Sequence, residues 1–151
     1  MPTECNAELF DFAPIERRTV VAGFDGGAIT SDGGALLLGA TDRAIRLIGR
    51  FAGCFIDRRR AELVEHLVPT LVGQRVFGIA LGYEDINDHE QLRSDPLFSV
   101  LAGREELEKP LAGKSTLNRL ELGDGREDRY KKITFWKQGI DELLVEVFIE
   151  S

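Results

Sequence analysis

The stretch LVEHLVPTLVGQRVFGIA, residues 63–80, carries the longest helical pattern in the sequence. Its apolar residues recur every three or four positions, and this spacing places them on one broad helical face. Pro69 lacks an amide donor and clashes with the preceding turn, so we expect a kink there or two abutting helices. Gly82 is expected to end the element. A face this wide is typical of a central, mostly buried helix.

Shorter helical patterns lie on both sides of this stretch. The side chain of Ser31 or Asp32 can cap a helix that runs to about residue 48. Two further helices are expected over 88–103, with a restart at the Asp95-Pro96 pair, and over 137–149.

A β-hairpin is predicted near the start of the chain. Two short β-prone runs, 19–24 and 28–30, flank Asp25-Gly26-Gly27, whose glycines supply the positive φ angles of a tight turn. The sequence therefore predicts a mainly α, helical bundle-like domain with a short N-terminal β-hairpin. We expect an irregular arm at 1–18, the hairpin plus helical domain at 19–122, and a linker with a C-terminal helix at 123–151.

Length and composition are those of one globular domain. The chain has 151 residues, 43% of them apolar, and a formal net charge of −7. It has no run of 18 apolar residues, and its acidic start lacks the basic region of a secretory signal. We therefore expect a cytoplasmic protein that does not contact a membrane. Cys5 and Cys54 are expected to be reduced thiols, with Cys54 packed among apolar neighbours.

Short motifs for nucleotide or metal binding are incomplete. Gly113-Lys114-Ser115-Thr116 has the end of a phosphate-binding loop, but Glu108 occupies the position of its first glycine. The acid-rich segment 82–90 lacks the ligand alternation of a calcium loop. In that segment we expect Asp85 or Asp88 to cap the following helix and His89 to be a polar surface or hydrogen-bonding residue. No nucleophile–base pair is legible, so no catalytic residue and no metal ligand is predicted.

Two basic segments contrast with the acidic background. Between residues 43 and 60 there are six arginines and one acid, Asp57, and three of the arginines, Arg58, Arg59 and Arg60, are consecutive. A second group offers hydrogen-bond donors at the start of a helix, which suits a phosphate anion. Its members are Lys114, Ser115, Thr116, Asn118 and Arg119. For both segments the alternative is a solvated or capped surface helix.

Four ordered blocks are distinctive in combination. They are ITSDGGALLL at 29–38, QRVFGIALGYEDINDHEQLRSDP at 74–96, LAGKSTLNRLE at 111–121 and DELLVEVFIES at 141–151. Together they resemble the N-terminal region of bacterial insertion-sequence transposases of the family numbered thirteen-eighty. That family lies within the DDE group, whose core is ribonuclease-H-like. The resemblance implies DNA transposition by metal-dependent strand transfer, in which three acidic residues hold two divalent ions.

The resemblance also implies that the first catalytic acid follows the segment matching 141–151. We therefore expect no catalytic acid and no cofactor in this chain, with Mg²⁺ bound only by a catalytic core beyond it. The expected function is that of a truncated DNA-binding and assembly region. Its expected partners are the terminal repeats of the element and either the transposase core or a second copy of the chain. Its expected DNA contacts are Arg58, Arg59 and Arg60 of the first basic segment and all five members of the second. The alternative is a protein-interaction or dimerisation module, either a transposase remnant or a regulator.

Overall fold

A computed structural model describes residues 10–15, 18–22, 30–103, 109–122 and 131–150. In chain order the elements are β1 (Phe10–Ile15), β2 (Arg18–Ala22), α1 (Ala35–Ile45), α2 (Leu47–Ala52), β3 (Phe55–Asp57), α3 (Val68–Ala80), α4 (His89–Leu92), α5 (Pro96–Leu101), α6 (Lys114–Glu121), β4 (Ile133–Phe135) and α7 (Lys137–Glu150). Short 3-10 turns at Ala61–Leu63 and Ile86–Asp88 precede α3 and α4. The prediction of a mainly α chain with a short N-terminal β-hairpin is confirmed.

Helix α3 forms the centre of the core. Its Leu71, Val72 and Phe77 side chains are buried, and it packs against α2, α5 and α6. Pro69 lies in the first turn of α3, where a missing amide costs no helical hydrogen bond. The kink or pair of abutting helices predicted within 63–80 is therefore wrong, since α3 begins at Val68 and the proline lies in its first turn. Gly82, with a φ of +93°, follows the helix and confirms the predicted stop.

The helix predicted over 31–48 is divided into α1 and α2. Arg46 lies between them in the left-handed region, with a φ of 53°. Asp42 Oδ1 accepts a hydrogen bond of 2.8 Å from the Ile48 amide, which provides a partner for one of the free amides at the start of α2.

The predicted cap of α1 is also wrong. The N-cap position is Gly34, which makes no side-chain hydrogen bond. Asp32 Oδ2 instead accepts a hydrogen bond from the Tyr83 hydroxyl at 2.8 Å. The carboxylate predicted to stabilise a helix end therefore joins the start of α1 to the segment after α3.

The predicted restart at Asp95-Pro96 is confirmed. Residues 88–103 hold two short helices, α4 and α5, and Asp95 Oδ1 accepts a 2.7 Å hydrogen bond from the Leu97 amide at the start of α5. Of the two residues predicted to cap the helix after the acid-rich segment, Asp85 caps the 3-10 turn Ile86–Asp88. Its Oδ1 accepts a hydrogen bond from the Asn87 amide at 2.8 Å. No side-chain cap is made by Asp88.

The structure contains an N-terminal hairpin, but its strands differ from those predicted. β1 pairs with β2 in antiparallel register from Phe10 opposite Ala22 to Ile15 opposite Arg18. Residues 10–15 were expected to lie in an irregular arm and instead form a strand. Their alternation of apolar and other residues favours β structure, while Pro14 falls where the register shifts, as suits a residue without an amide donor. Most of the second predicted strand, 28–30, lies outside the described residues.

A second antiparallel ribbon was not predicted. β3 pairs with β4, with Phe55 opposite Phe135 and Asp57 opposite Ile133. α7 begins directly after β4 and confirms the helix predicted over 137–149. The ribbon therefore joins the segment that follows α2 to the segment that precedes α7.

Gln74 and His89 form a buried polar group beside α3. Both side chains are 0% exposed. Gln74 Nε2 donates to the Ala112 carbonyl at 2.8 Å, and Gln74 Oε1 accepts from the Ala112 amide at 3.1 Å. His89 Nδ1 lies 3.3 Å from Gln74 Nε2, and within the described chain His89 Nε2 has no partner. The prediction of a surface position for His89 is wrong, while its hydrogen-bonding role holds.

We expect His89 to make stability depend on pH. Burial lowers the pKa of His89, and the positive charge of Arg75 lowers it further. The unfolded chain then binds more protons than the folded one once the pH falls below about 6.5, the ordinary histidine pKa. The contribution of His89 to the free energy of unfolding is complete above that pH. It is lost as the pH falls below that value, by at most about 1.4 kcal/mol per pH unit.

Urea unfolding across this pH range measures the effect. His89→Gln should flatten the pH dependence between about pH 5 and pH 6.5, because the second histidine, His66, is common to both proteins. Parallel curves for the two proteins would contradict the assignment.

Candidate nucleic-acid interface

The β3–β4 ribbon places the first basic segment beside the residues that precede β4. Beyond the paired strands the Arg58 amide donates to the Lys132 carbonyl at 2.9 Å. This bond extends the ladder by one step, so the run that begins at Arg58 lies beside the residues that lead into β4.

A cavity of about 150 Å³ opens where this ribbon meets α6. Its lining residues are Arg59, Thr116, Arg119, Lys132 and Ile133. The structure thus brings one residue of the first predicted basic segment together with two residues of the second. Lys132 was missed by the sequence reasoning, although the Lys131-Lys132 pair was a visible signal. Three cations and a hydroxyl around one opening form a basic cavity suited to an oxyanion.

Arg59 is held rigidly at the edge of this basic cavity. Its guanidinium makes two hydrogen bonds to the Asp57 carboxylate, of 2.9 and 2.7 Å, and donates to the His66 carbonyl at 2.9 Å. The Arg59 side-chain hydrogen bonds lower the pKa of Asp57 despite partial burial of the carboxyl. Arg59 therefore has a structural role, and its charge is partly neutralised by Asp57.

Arg119 and Thr116 lie on the outer side of α6. The opposite side of this helix is fixed in the core by Leu117 and Leu120, which are buried. Residues three apart share a helical face, so Thr116 and Arg119 project together. Arg119 is exposed, and no hydrogen bond or ion pair to its side chain occurs within the described ranges. Of the cavity cations it has the greatest freedom to meet an external anion.

The amino-terminal end of α6 is already occupied by an internal anion. Glu90 Oε1 accepts a 2.8 Å hydrogen bond from the Lys114 amide, and Lys114 Nζ donates to Asn87 Oδ1 at 3.2 Å. A Cβ at Gly113 would lie 2.7 Å from Arg93 Nη1 and 3.0 Å from Glu90 Oε1. The phosphate site predicted at this helix start is thus filled by a carboxylate of the same chain.

The other predicted contact residues do not line the cavity. Arg58, Arg60, Lys114, Ser115 and Asn118 are exposed around it. Elsewhere in the arginine-rich segment, Arg50 is engaged by Glu146 at 3.0 Å and by Glu150 at 2.6 Å. Arg50 therefore joins α2 to α7 and does not extend the basic cavity.

A separate acidic pocket of about 220 Å³ lies beyond α3. It is lined in part by Asp32, Asp88, Asp95 and Tyr83. The hydrogen bond to Asp32 raises the pKa of the Tyr83 hydroxyl. Across the described ranges, no group of three or more His, Cys, Asp or Glu side chains is arranged to hold a metal ion.

Comparison with known protein families identifies the family to which the chain belongs. A family model described as Transposase DDE domain group 1 matches residues 12–151. The chain belongs to this transposase family. No curated protein and no solved structure matches it. Among the described helices of this transposase chain, none combines the length and apolar character needed to cross a bilayer. The narrower assignment to family thirteen-eighty stays a prediction.

Proposed function

We propose that the described part of this transposase chain binds DNA through the phosphates of its backbone, at the basic cavity. In this proposal the chain positions the ends of the mobile element and contributes to assembly. The Mg²⁺-dependent strand transfer expected of the family is carried out by residues outside the described ranges. The observation that supports the proposal is the convergence of Arg59, Arg119 and Lys132 on one opening.

Local charge supports this function despite the net charge of −7. Phosphate binding requires clustered cations and releases counterions from DNA, so a small basic area can bind on an acidic protein. Of the acids near the basic segments, Asp57 is paired with Arg59 and Glu121 with Arg75. Such contacts fix the position of a duplex without reading its bases.

Arg119→Ala tests the proposal. We expect it to weaken binding of a labelled duplex by about tenfold at low salt, the loss of one charge-assisted hydrogen bond. The loss should be similar for terminal-repeat DNA and for an unrelated duplex, because the cavity contacts only the backbone. Fluorescence anisotropy provides the measurement.

Arg43→Ala is the matched control, since it removes the same charge from an exposed position on α1. If both variants lose affinity equally, the effect comes from net charge and the cavity is not the contact. Equal affinity of wild type and Arg119→Ala would also overturn the proposal.

A second function, self-association, is favoured by the outer face of α7. Four large apolar side chains on this helix are exposed: Leu144, Val145, Phe148 and Ile149. They form two rows at helical spacing of four, whereas Glu146 and Glu150 turn towards Arg50. An exposed apolar face of this kind is typical of protein–protein contact surfaces.

Leu144→Lys is expected to reduce the average mass measured by light scattering at high protein concentration, because it places a charge within the apolar face. DNA affinity should not fall. A wild-type chain that remains monomeric at every concentration would remove this second function.

A further inference from the structure

We infer that the outer side of the β3–β4 ribbon binds an unpaired nucleobase by stacking it on Trp136. This inference rests on the proposed DNA binding and extends it from the phosphates to a base. The ligand class is single-stranded DNA, or the frayed or overhanging end of a duplex.

The ribbon places an aromatic residue and two cations in one row. Side chains alternate between the two sides of a strand. Ile56 of β3 and Arg58, just after β3, therefore share a side with Thr134 of β4 and its second neighbours on either side of β4. Those neighbours are Lys132 and Trp136. The backbone bonds from Arg58 to Lys132 and from Trp136 to Cys54 carry the same ladder past both ends of the strands.

The other side of the ribbon faces an apolar space. Phe55 and Phe135 line a cavity of about 280 Å³ together with residues of α3 and α6. The row containing Trp136 lies on the opposite side of the ribbon, where Cys54, which is paired with Trp136, is buried. Trp136 is 55% exposed and Ile56 48% exposed, while Thr134, directly opposite Ile56, is buried. The exposed members of the row are therefore Ile56, Arg58 and Trp136.

Trp136 is held in a defined orientation. Its ring lies over the backbone of Gly139 in the first turn of α7, where an added Cβ would contact ring atom Cε3 and lie 2.7 Å from Cζ3 and 2.9 Å from Cδ2. The helix thus lies against the six-membered ring of the indole, while the residue is 55% exposed. A flat, fixed aromatic face is the surface on which a base stacks.

Charge and position favour a nucleic acid over a protein as the occupant. The row carries Arg58 and Lys132 and no acid, and stacking surfaces for single strands combine aromatic rings with cations that follow the backbone. Lys132 also lines the basic cavity, so the row is continuous with the proposed phosphate contacts. A strand whose phosphates lie at Arg119 and Lys132 could place its next bases towards Trp136.

Trp136 is the only tryptophan in the chain, so its fluorescence reports directly on the site. We expect a duplex with an unpaired overhang to quench the emission, whereas a blunt duplex of the same paired length should not. In anisotropy titrations, Trp136→Leu should reduce affinity for the overhang duplex by about tenfold, the worth of one stacked base. Trp136→Phe should retain part of the preference, and affinity for the blunt duplex should be unchanged.

Leu37→Ala, an exposed apolar change on α1, is the control and should leave both affinities unchanged. Blunt duplex that binds through Arg119, with neither quenching nor a preference for the overhang, would overturn this inference and leave the proposed function intact. Failure to bind any DNA would overturn both. A change in oligomeric state on Trp136→Leu, without a change in DNA affinity, would identify the row as a protein interface and would also overturn the inference.

Discussion

Gln74→Ala is expected to destabilise the protein by about 3 kcal/mol or more, because it leaves two buried backbone groups without partners and opens a cavity. The Gln74 amide donates to the Ala112 carbonyl and accepts from the Ala112 amide, and its side chain is wholly buried. Water cannot replace these bonds without entering the core. Urea denaturation followed by circular dichroism measures the loss.

Gln74→Met separates the two causes. Methionine fills most of the space but makes no strong hydrogen bond, so most of the loss should persist. A Met variant as stable as wild type would show that volume, and not the Ala112 bonds, is what matters. Because Ala112 directly precedes the turn into α6, Gln74 also sets the position of Arg119. We therefore expect the same variants to weaken DNA binding even where they remain folded.

Gly78→Ala is expected to cost about 2–3 kcal/mol, since it forces extra volume into a packed core. An alanine Cβ would lie 2.8 Å from His89 Cε1 and 2.9 Å from Nε2. The imidazole is wholly buried, with its ring edge-on to Phe98 at a centroid distance of 6.5 Å, so it has little room to move. Thermal unfolding measures the loss.

Gly49→Ala provides the comparison for this effect. Gly49 also lies in a helix, but a Cβ there meets nothing within 4 Å, and alanine favours helix over glycine. We expect Gly49→Ala to be neutral or stabilising. Equal losses at both positions would contradict the close contact between Gly78 and His89.

Local signals in the sequence were sufficient for several helices. The spacing of apolar residues in 63–80 identified α3, and the same spacing in 137–149 identified α7. Asp95-Pro96 marked the start of α5, because the residue before a proline disfavours helix, an effect that acts within the dipeptide itself. These features depend on neighbours in the chain and can be read from it.

The β3–β4 ribbon could not be read in the same way. Each strand is three residues long, and its stability comes from pairing with a segment far away in sequence and from packing over the core. His89 illustrates the same limit. Its acidic surroundings in the sequence suggested a surface position, whereas contacts with Gln74 and Phe98 bury it.

The same contrast between local signals and tertiary contacts applies to the candidate interface. Arg59, Thr116 and Arg119 could be proposed from the clustering of donors along the chain. Their convergence with Lys132 required the ribbon, and the internal use of Lys114 by Glu90 and Asn87 required tertiary contacts. The prediction of DNA as the ligand therefore stays a prediction, and the fold adds which of the predicted cations lie around one opening.

If Arg119 and Lys132 contact DNA phosphates, as we propose, both residues contribute to the salt dependence of DNA binding. The slope of log affinity against log salt reflects the number of phosphates neutralised. For the double variant Arg119→Ala/Lys132→Ala, phosphate contact by both residues predicts a slope shallower than wild type by about 2. An unchanged slope, in a double variant whose circular dichroism matches wild type, would contradict phosphate contact by Arg119 and Lys132.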